Sequence, residues 1–261
     1  MDLQLTGKTA VVTGASRGIG LAIAEYLTSE GMRVLGTART VTPQLAALGG
    51  PAFSVDLSRP DGGKRLVSHA LEELGGIDVL INNVGGGVEG VDLAEGFLSL
   101  DDATWQRSLD INLLSAVRVT RAALPSIIER RGAIVNISSI GARASYHPVD
   151  YGVAKAGLTN LSKALSEEFG PRGVRVNTVT PGPTLTQNWK DPEGYAGDLA
   201  KAAGLGYDEF MARLPATMGI STGRLAEPAE VAALVAFLAS PLAGSITGAD
   251  YRVDGGVLKA V

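Results

Sequence analysis

Seven short runs of β-branched and apolar residues, separated by longer stretches of helical periodicity, constrain this 261-residue chain more than any other feature. The runs are Thr9–Thr13, Arg33–Thr37, Ala52–Val55, Val79–Asn82, Ala133–Ile137, Arg175–Thr180 and Asp250–Val253, and each reads as a strand. Most are almost purely apolar, as parallel strands buried on both faces must be. The intervening helical stretches are Ile19–Ser29, Gly62–Leu74, Thr104–Arg130, Gly152–Glu168 and Ala229–Ala239. Pro228 stands in the first turn of the last of these and Glu230 follows it, suiting the positive end of a helix. Such alternation implies right-handed βαβ units, hence an α/β fold with one open, doubly wound parallel sheet of about seven strands and helices on both faces. No Pro/Ser linker divides the chain, so 1–261 is expected to be a single domain. Leu185–Gly223 breaks the rhythm: it has no strand pattern, carries Trp189, Tyr195, Tyr207, Phe210 and Met211, and is longer than an ordinary connection. Loops of that length are commonly lids over a site, or disordered.

Composition narrows the function classes. A net charge of −4, from 23 basic and 27 acidic residues, leaves no footprint for nucleic acid or an anionic membrane. There is no cysteine, which excludes disulfides and thiolate metal sites and fits a reducing compartment. With only His69 and His147 for imidazole ligands, no metal is expected. The start, Met1-Asp2-Leu3-Gln4, lacks the basic region of a signal peptide, and no stretch approaches the roughly 20 apolar residues of a membrane span. A cytoplasmic protein is the expectation.

The first strand runs into Thr13-Gly14-Ala15-Ser16-Arg17-Gly18-Ile19-Gly20, which opens a helix. Glycines there let the backbone turn tightly against a pyrophosphate, and the helix N-terminus offers N–H donors and partial positive charge. The spacing G-x-x-x-G-x-G is neither the common dinucleotide fingerprint nor a Walker loop, and a helix packed closely on its strand would ask for the same glycines. Where an NAD-binding chain places an acid at the end of the second strand, this one reads Leu35-Gly36-Thr37-Ala38-Arg39-Thr40. Arg39, with Arg17 as a second jaw, is placed to pair with a ribose 2′-phosphate, because a guanidinium donates two parallel bonds. NADP(H) is therefore favoured and NAD(H) is the alternative. Asp56, in Val55-Asp56-Leu57, is placed either to accept from the adenine amino group or to cap a helix. Asn83, Val84 and Gly85 close the fourth strand, at the edge where parallel sheets bind ligands.

Tyr151-Gly152-Val153-Ala154-Lys155 sets a phenol and an ammonium one helical turn apart on one face. A neighbouring cation favours the phenolate, lowering a pKa otherwise near 10. Upstream, Ser138-Ser139 ends the fifth strand. Each element alone is weak. In this order, the glycine turn, Asn82-Asn83-Val84-Gly85, Asn112, Ser138, Tyr151-x-x-x-Lys155, Pro181-Gly182 and the terminal Val253-Asp254-Gly255-Gly256 closely resemble the short-chain dehydrogenase/reductase family in its short, single-domain form, from about Thr6 to Gly256.

The resemblance implies a Rossmann-type fold and an NAD(P)-dependent oxidoreductase that interconverts a carbonyl and an alcohol by hydride transfer. A ketone or 3-oxoacyl-type reductase using NADPH is the favoured form, and an NAD-dependent alcohol dehydrogenase the alternative. It further implies that Tyr151 is the general acid in reduction, that Lys155 lowers its pKa and binds the nicotinamide ribose, that Ser138, thirteen residues before Tyr151, bonds the substrate oxygen, and that Asn112 holds a relay water. Ser139 fits that spacing less well. The cofactor set it implies is Gly14, Ser16, Arg17, Gly18, Ile19, Gly20, Arg39, Asp56, Leu57, Asn83, Val84, Gly85, Tyr151, Lys155, Pro181, Gly182, Thr184 and Thr186; the residues do not choose between the last two as the nicotinamide contact. A small-molecule substrate is expected between Gly85–Val91, Arg143–Pro148 and the 185–223 segment, with Gly87, His147 and Trp189 as candidates. Trp189, Tyr195 and Phe210 form either an apolar roof or the anchor of the lid. The last helix is apolar nearly all round, so it is buried in the core or in a subunit contact. A homotetramer, or a homodimer, is what the resemblance implies. The rival from another class is a non-catalytic NADPH-binding regulator, from which one of Asn112, Ser138, Tyr151 and Lys155 would be expected to be missing.

Overall fold

A computed structural model describes residues 1–87, 96–146 and 148–259. In chain order the elements are β1 (Thr9–Thr13), α1 (Gly18–Ser29), β2 (Arg33–Ala38), α2 (Pro43–Ala46), β3 (Ala52–Ser54), α3 (Gly62–Leu74) and β4 (Val79–Asn82). Then come α4 (Asp102–Leu109), a π-helical turn (Asp110–Leu114), α5 (Ser115–Arg130), β5 (Ala133–Ile137), α6 (Val149–Phe169) and β6 (Arg175–Pro181). The last are α7 (Gln187–Lys190), α8 (Tyr195–Ala202), α9 (Tyr207–Thr217), α10 (Pro228–Ala239) and β7 (Asp250–Val253). The strands form a seven-stranded sheet in the order β3-β2-β1-β4-β5-β6-β7, parallel throughout. The order reverses between β1 and β4, and ligands bind outside the carboxyl ends of the strands at such a switch point.

The apolar strand runs are explained by two cores. On one face α1 and α10 cover the sheet through Ile23, Leu27, Val231, Val235 and Leu238, all fully buried. Burial of that kind contributes about 1.5–3 kcal/mol per large side chain. The apolar α10 thus spends its inner face against α1 and the strands. Its start is a capping box, with Glu230 accepting from the Glu227 N–H at 2.7 Å. On the opposite face Leu66, Val67, Ala70, Val119, Ala123 and Ile127 of α3 and α5 close the second core.

Two expectations are refined. The run expected as one helix over Thr104–Arg130 is continuous from Asp102 to Arg130 but passes through the π turn, where one extra residue is accommodated. This run is long and apolar enough by composition to cross a membrane, with mean hydropathy 1.2 in its most apolar window, yet its inner face packs on α3 and the sheet. The 185–223 segment is ordered as α7, α8 and α9 around a small core of its own. There Leu214, Ile220 and Leu225 meet Ile140 from beyond β5 and Val257 from the C-terminal tail, with Trp189, Phe210 and Met211 packed on them. His147 and residues 88–91 of the expected substrate pocket lie outside the described residues.

Candidate active site

The carboxyl ends of β1, β4, β5 and β6 open onto a cleft of about 880 Å³. Its floor is the glycine turn. Gly14 and Gly18 have φ of 66° and 59°, which an L side chain rarely adopts. Gly20 has an ordinary φ but no room: a Cβ there would sit 2.2 Å from the Gly14 carbonyl oxygen and 2.4 Å from Asn83 Nδ2. The turn is braced from the neighbouring strand, since Asn83 Nδ2 donates to the carbonyls of Thr13 and Gly14 at 2.9 and 3.1 Å. Thr13 Oγ1 in turn accepts the N–H groups of Asn83 and Val84 at 2.9 and 3.0 Å. Helix α1 begins after an extended Arg17 with no side-chain cap on its first turn. Its leading N–H groups therefore face the cleft, an arrangement suited to a pyrophosphate. A cradle that a single methyl would fill fits a dinucleotide.

At one end of the groove Arg17 and Arg39 line the wall with Asp56. The Asp56 carboxyl is held below the usual range first by the Ser58 hydroxyl bond, opposed by burial, with Arg39's charge adding to the lowering. Its Oδ1 accepts both the Ser58 N–H (3.0 Å) and hydroxyl (2.7 Å), so it closes a local turn, and the residue preceding α3 is Asp61. The helix-cap alternative for Asp56 is thus excluded. Leu57 is buried and meets the groove beside it.

At the other end, Tyr151 and Lys155 lie one turn apart on α6, Nζ 5.7 Å from the phenol ring centre. Lys155 is only 2% exposed; its Nζ donates to the Ile137 carbonyl at 2.9 Å, and burial lowers its pKa to about 8. Asn112 projects from the π turn, accepting from Gly86 N–H at 2.8 Å and donating to the carbonyls of Gly86 and Ser108 at 3.0 and 3.1 Å. A Cβ on Gly85 would lie 2.8 Å from Asn112 Oδ1 and 2.9 Å from Lys155 Nζ, so strand β4's end, the π turn and α6 converge on that glycine.

Two expectations are corrected here. On balance the pKa of the Tyr151 phenol is raised from 10.0 and not lowered: burial pushes it up, a Ser139 hydrogen bond opposes that, and the charge of Tyr195 adds to the rise. The serine assignment also shifts. Ser138 Oγ bonds the Lys155 carbonyl (3.2 Å) and Thr159 Oγ1 (2.8 Å), on the helix side of the sheet. The reason is strand parity. Ser138 shares the face of Asn136, whose amide donates to Ser162 of α6 at 2.8 Å and accepts from Asn82 at 2.8 Å. Ser139, one residue on, faces the other way, caps the turn Ile140–Ala142 and bonds the Tyr151 phenol.

Of the other expected residues, Ser16, Ile19, Val84, Gly87, Pro181, Gly182, Thr184, Thr186 and Trp189 all line the cleft. Thr184 is buried with its hydroxyl on the Gly182 carbonyl (3.0 Å), whereas Thr186 stands against Gly18, 3.2 Å from where a Cβ would lie. Sequence reasoning missed Arg107, Asp110, Gln187 and Asn188, which also line it. Only Asp110 left a signal, its Arg118 partner two helical turns on, bonded at 2.6 Å.

A parallel sheet with a glycine turn at its switch point and a Tyr/Lys pair beside it, the lysine buried, defines a dinucleotide-dependent oxidoreductase. Residues 14–258 match the family model described as enoyl-(acyl carrier protein) reductase. The chain is 35% identical to the 3-oxoacyl-[acyl-carrier-protein] reductase of Vibrio cholerae, across 98% of this chain and 99% of that one. It is 33% identical to 3beta-hydroxysteroid dehydrogenase 1 of Eggerthella lenta, across 97% and 95%. Among solved structures, L-sorbose reductase of Gluconobacter frateurii, complexed with NADPH and L-sorbose, superposes with a TM-score of 0.88 at 34% identity, covering 100% of both chains. The chain belongs to the short-chain dehydrogenase/reductase family, whose members are NAD(P)-dependent oxidoreductases acting on the carbonyl/alcohol pair.

Proposed function

We propose that this chain is an NADPH-dependent carbonyl reductase acting on ketones or 3-oxoacyl compounds, working as one unit over 1–261, cytoplasmic and homotetrameric. The observation that carries the reading is the convergence of Tyr151, Lys155, Asn112 and Ser139 beside the glycine turn. The dinucleotide, when bound, supplies the hydride. Tyr151 protonates the oxygen of the carbonyl as charge develops on it, and Ser139 donates a second hydrogen bond to the same oxygen. Lys155, an ammonium below about pH 8, favours the phenolate left behind and draws on the side of the site that Asn112 closes. The cradle of Gly14, Gly18 and Gly20 holds the pyrophosphate, and Arg17 with Arg39 meets a 2′-phosphate. Helices α7 to α9 act as the lid, with Gly87 and Trp189 against the substrate.

The V. cholerae and G. frateurii relatives are by name reductases of an oxoacyl group and of a ketose, which supports reduction at C=O. The test is NADPH oxidation across a panel of ketones, a 3-oxoacyl thioester and an enoyl thioester, repeated with Tyr151→Phe. Turnover of the carbonyls, lost in the variant while NADPH binding survives, is expected. Reduction of the enoyl compound alone, or a variant that turns over normally, overturns the reading. Light scattering checks the tetramer.

A further inference from the structure

The lid sets a second phenol beside the cleft, behind Trp189, that the chemistry above does not use. Trp189 lines the cleft, and the ring of Tyr195 stands edge-on to it, centres 5.5 Å apart at 89°. Trp189 is fixed in place twice, by the small core beneath it and by Tyr207, whose hydroxyl donates to the Trp189 carbonyl at 2.6 Å. Tyr195 is therefore held by a rigid neighbour, yet it remains 40% exposed. Its phenol is close enough to Tyr151 for its charge to push that group's pKa up. Among the described residues neither the Tyr195 hydroxyl nor the Trp189 indole N–H has a hydrogen-bond partner, although both groups seek one. Gly85 to Gly87, which also line the cleft, offer backbone and space instead of apolar side chains.

We propose that Tyr195 is a specificity-determining residue, and that with the Trp189 indole it selects carbonyl substrates bearing hydroxyl groups a few carbons from the reacting carbon, the polyhydroxy ketone class. An aromatic face covers the C–H side of such a molecule while the phenol and the indole N–H meet its hydroxyls. A wall meant for an unadorned acyl chain would leave both polar groups facing methylenes, at the cost of stripping them of water.

The proposal rests on the carbonyl-reductase reading, and the experiment separates the two. Steady-state reduction by NADPH is measured for a ketohexose and for 2-hexanone, matched in carbon number, with the unmodified chain, Tyr195→Phe and Tyr151→Phe. Tyr195→Phe keeps the ring edge against Trp189, so the fold is retained. Loss of one hydrogen bond is expected to lower kcat/KM for the ketohexose about tenfold, mainly through KM, and to leave 2-hexanone unchanged. Equal effects on both ketones, no effect on either, or a chain that reduces 2-hexanone or a 3-oxoacyl thioester but not the ketohexose would each overturn the inference and leave the reductase reading standing. Absence of Tyr151-dependent turnover on any carbonyl defeats the reductase reading itself.

Discussion

Removing the charge of Lys155 gives a quantitative test of how the site is built. The ammonium is 2% exposed, and burial brings its pKa from the ordinary 10.5 to about 8. A depression of that size corresponds to roughly 3 kcal/mol of folding free energy forgone while the group is charged in both states. The sign follows from proton counts. Below about pH 8 the folded and unfolded chains hold the same proton and the cost is constant; between about 8 and 10.5 the unfolded chain keeps the proton the folded one has lost, so stability rises with pH. Between about pH 7 and pH 9.5 the recovery amounts to roughly 2 kcal/mol. Urea unfolding of the unmodified chain and of Lys155→Met, followed across that range without cofactor, isolates it, because the other lysines and tyrosines titrate in both proteins. The difference between the two curves should shrink or change sign in favour of the unmodified chain as pH rises. A difference that stays flat, or a lysine-containing chain that weakens relative to the variant, would refute the buried, depressed lysine.

Gly20→Ala forces a methyl to within 2.2 Å of the Gly14 carbonyl; overpacking of that kind costs about 1–3 kcal/mol and widens the phosphate cradle, so titration with NADPH should show weakened binding alongside a lowered Tm. Leu27→Ala empties a fully buried position between α1, α10 and the sheet, and denaturant unfolding should register a loss of about 2–5 kcal/mol with the active-site chemistry intact. Arg39→Asp replaces a guanidinium with the acid that bonds a free ribose 2′-OH, and the ratio of kcat/KM for NADPH over NADH should fall by at least about tenfold, one charge-assisted bond's worth; an unchanged ratio would remove Arg39 from the 2′-phosphate site.

The inner strands were legible because they are buried on both faces and so carry continuous apolar runs: β1, β4 and β5 have the bounds expected of them, as does the half-exposed edge strand β7. The glycine turn was legible because positive φ and a 2.2 Å approach exclude other residues. Ser139 was not, since which of two adjacent serines faces the cleft depends on strand parity and on a connecting segment whose length no local pattern reveals. The helices of 185–223 were equally hidden: α7 and α8 are short, and α7 and α9 pack on Ile140 and Val257, partners remote in sequence. Tyr151's raised pKa was missed because the sequence shows the lysine nearby but not the desolvation around the phenol.

The π turn at Asp110–Leu114 also has a genetic consequence. It is a single extra residue stored inside an otherwise regular helix, which advances about 100° per residue. Deleting one residue between Asn112 and α5, Leu113 for instance, would let the whole Asp102–Arg130 run become an uninterrupted α-helix, gaining regular hydrogen bonds. The same deletion would rotate the Asn112 amide about a quarter turn relative to α5, away from Gly86 and the lysine. Such a frame-preserving deletion would be nearly silent to a screen for folded protein and severe to a screen for turnover, so the length of this helix is itself heritable information about the active site.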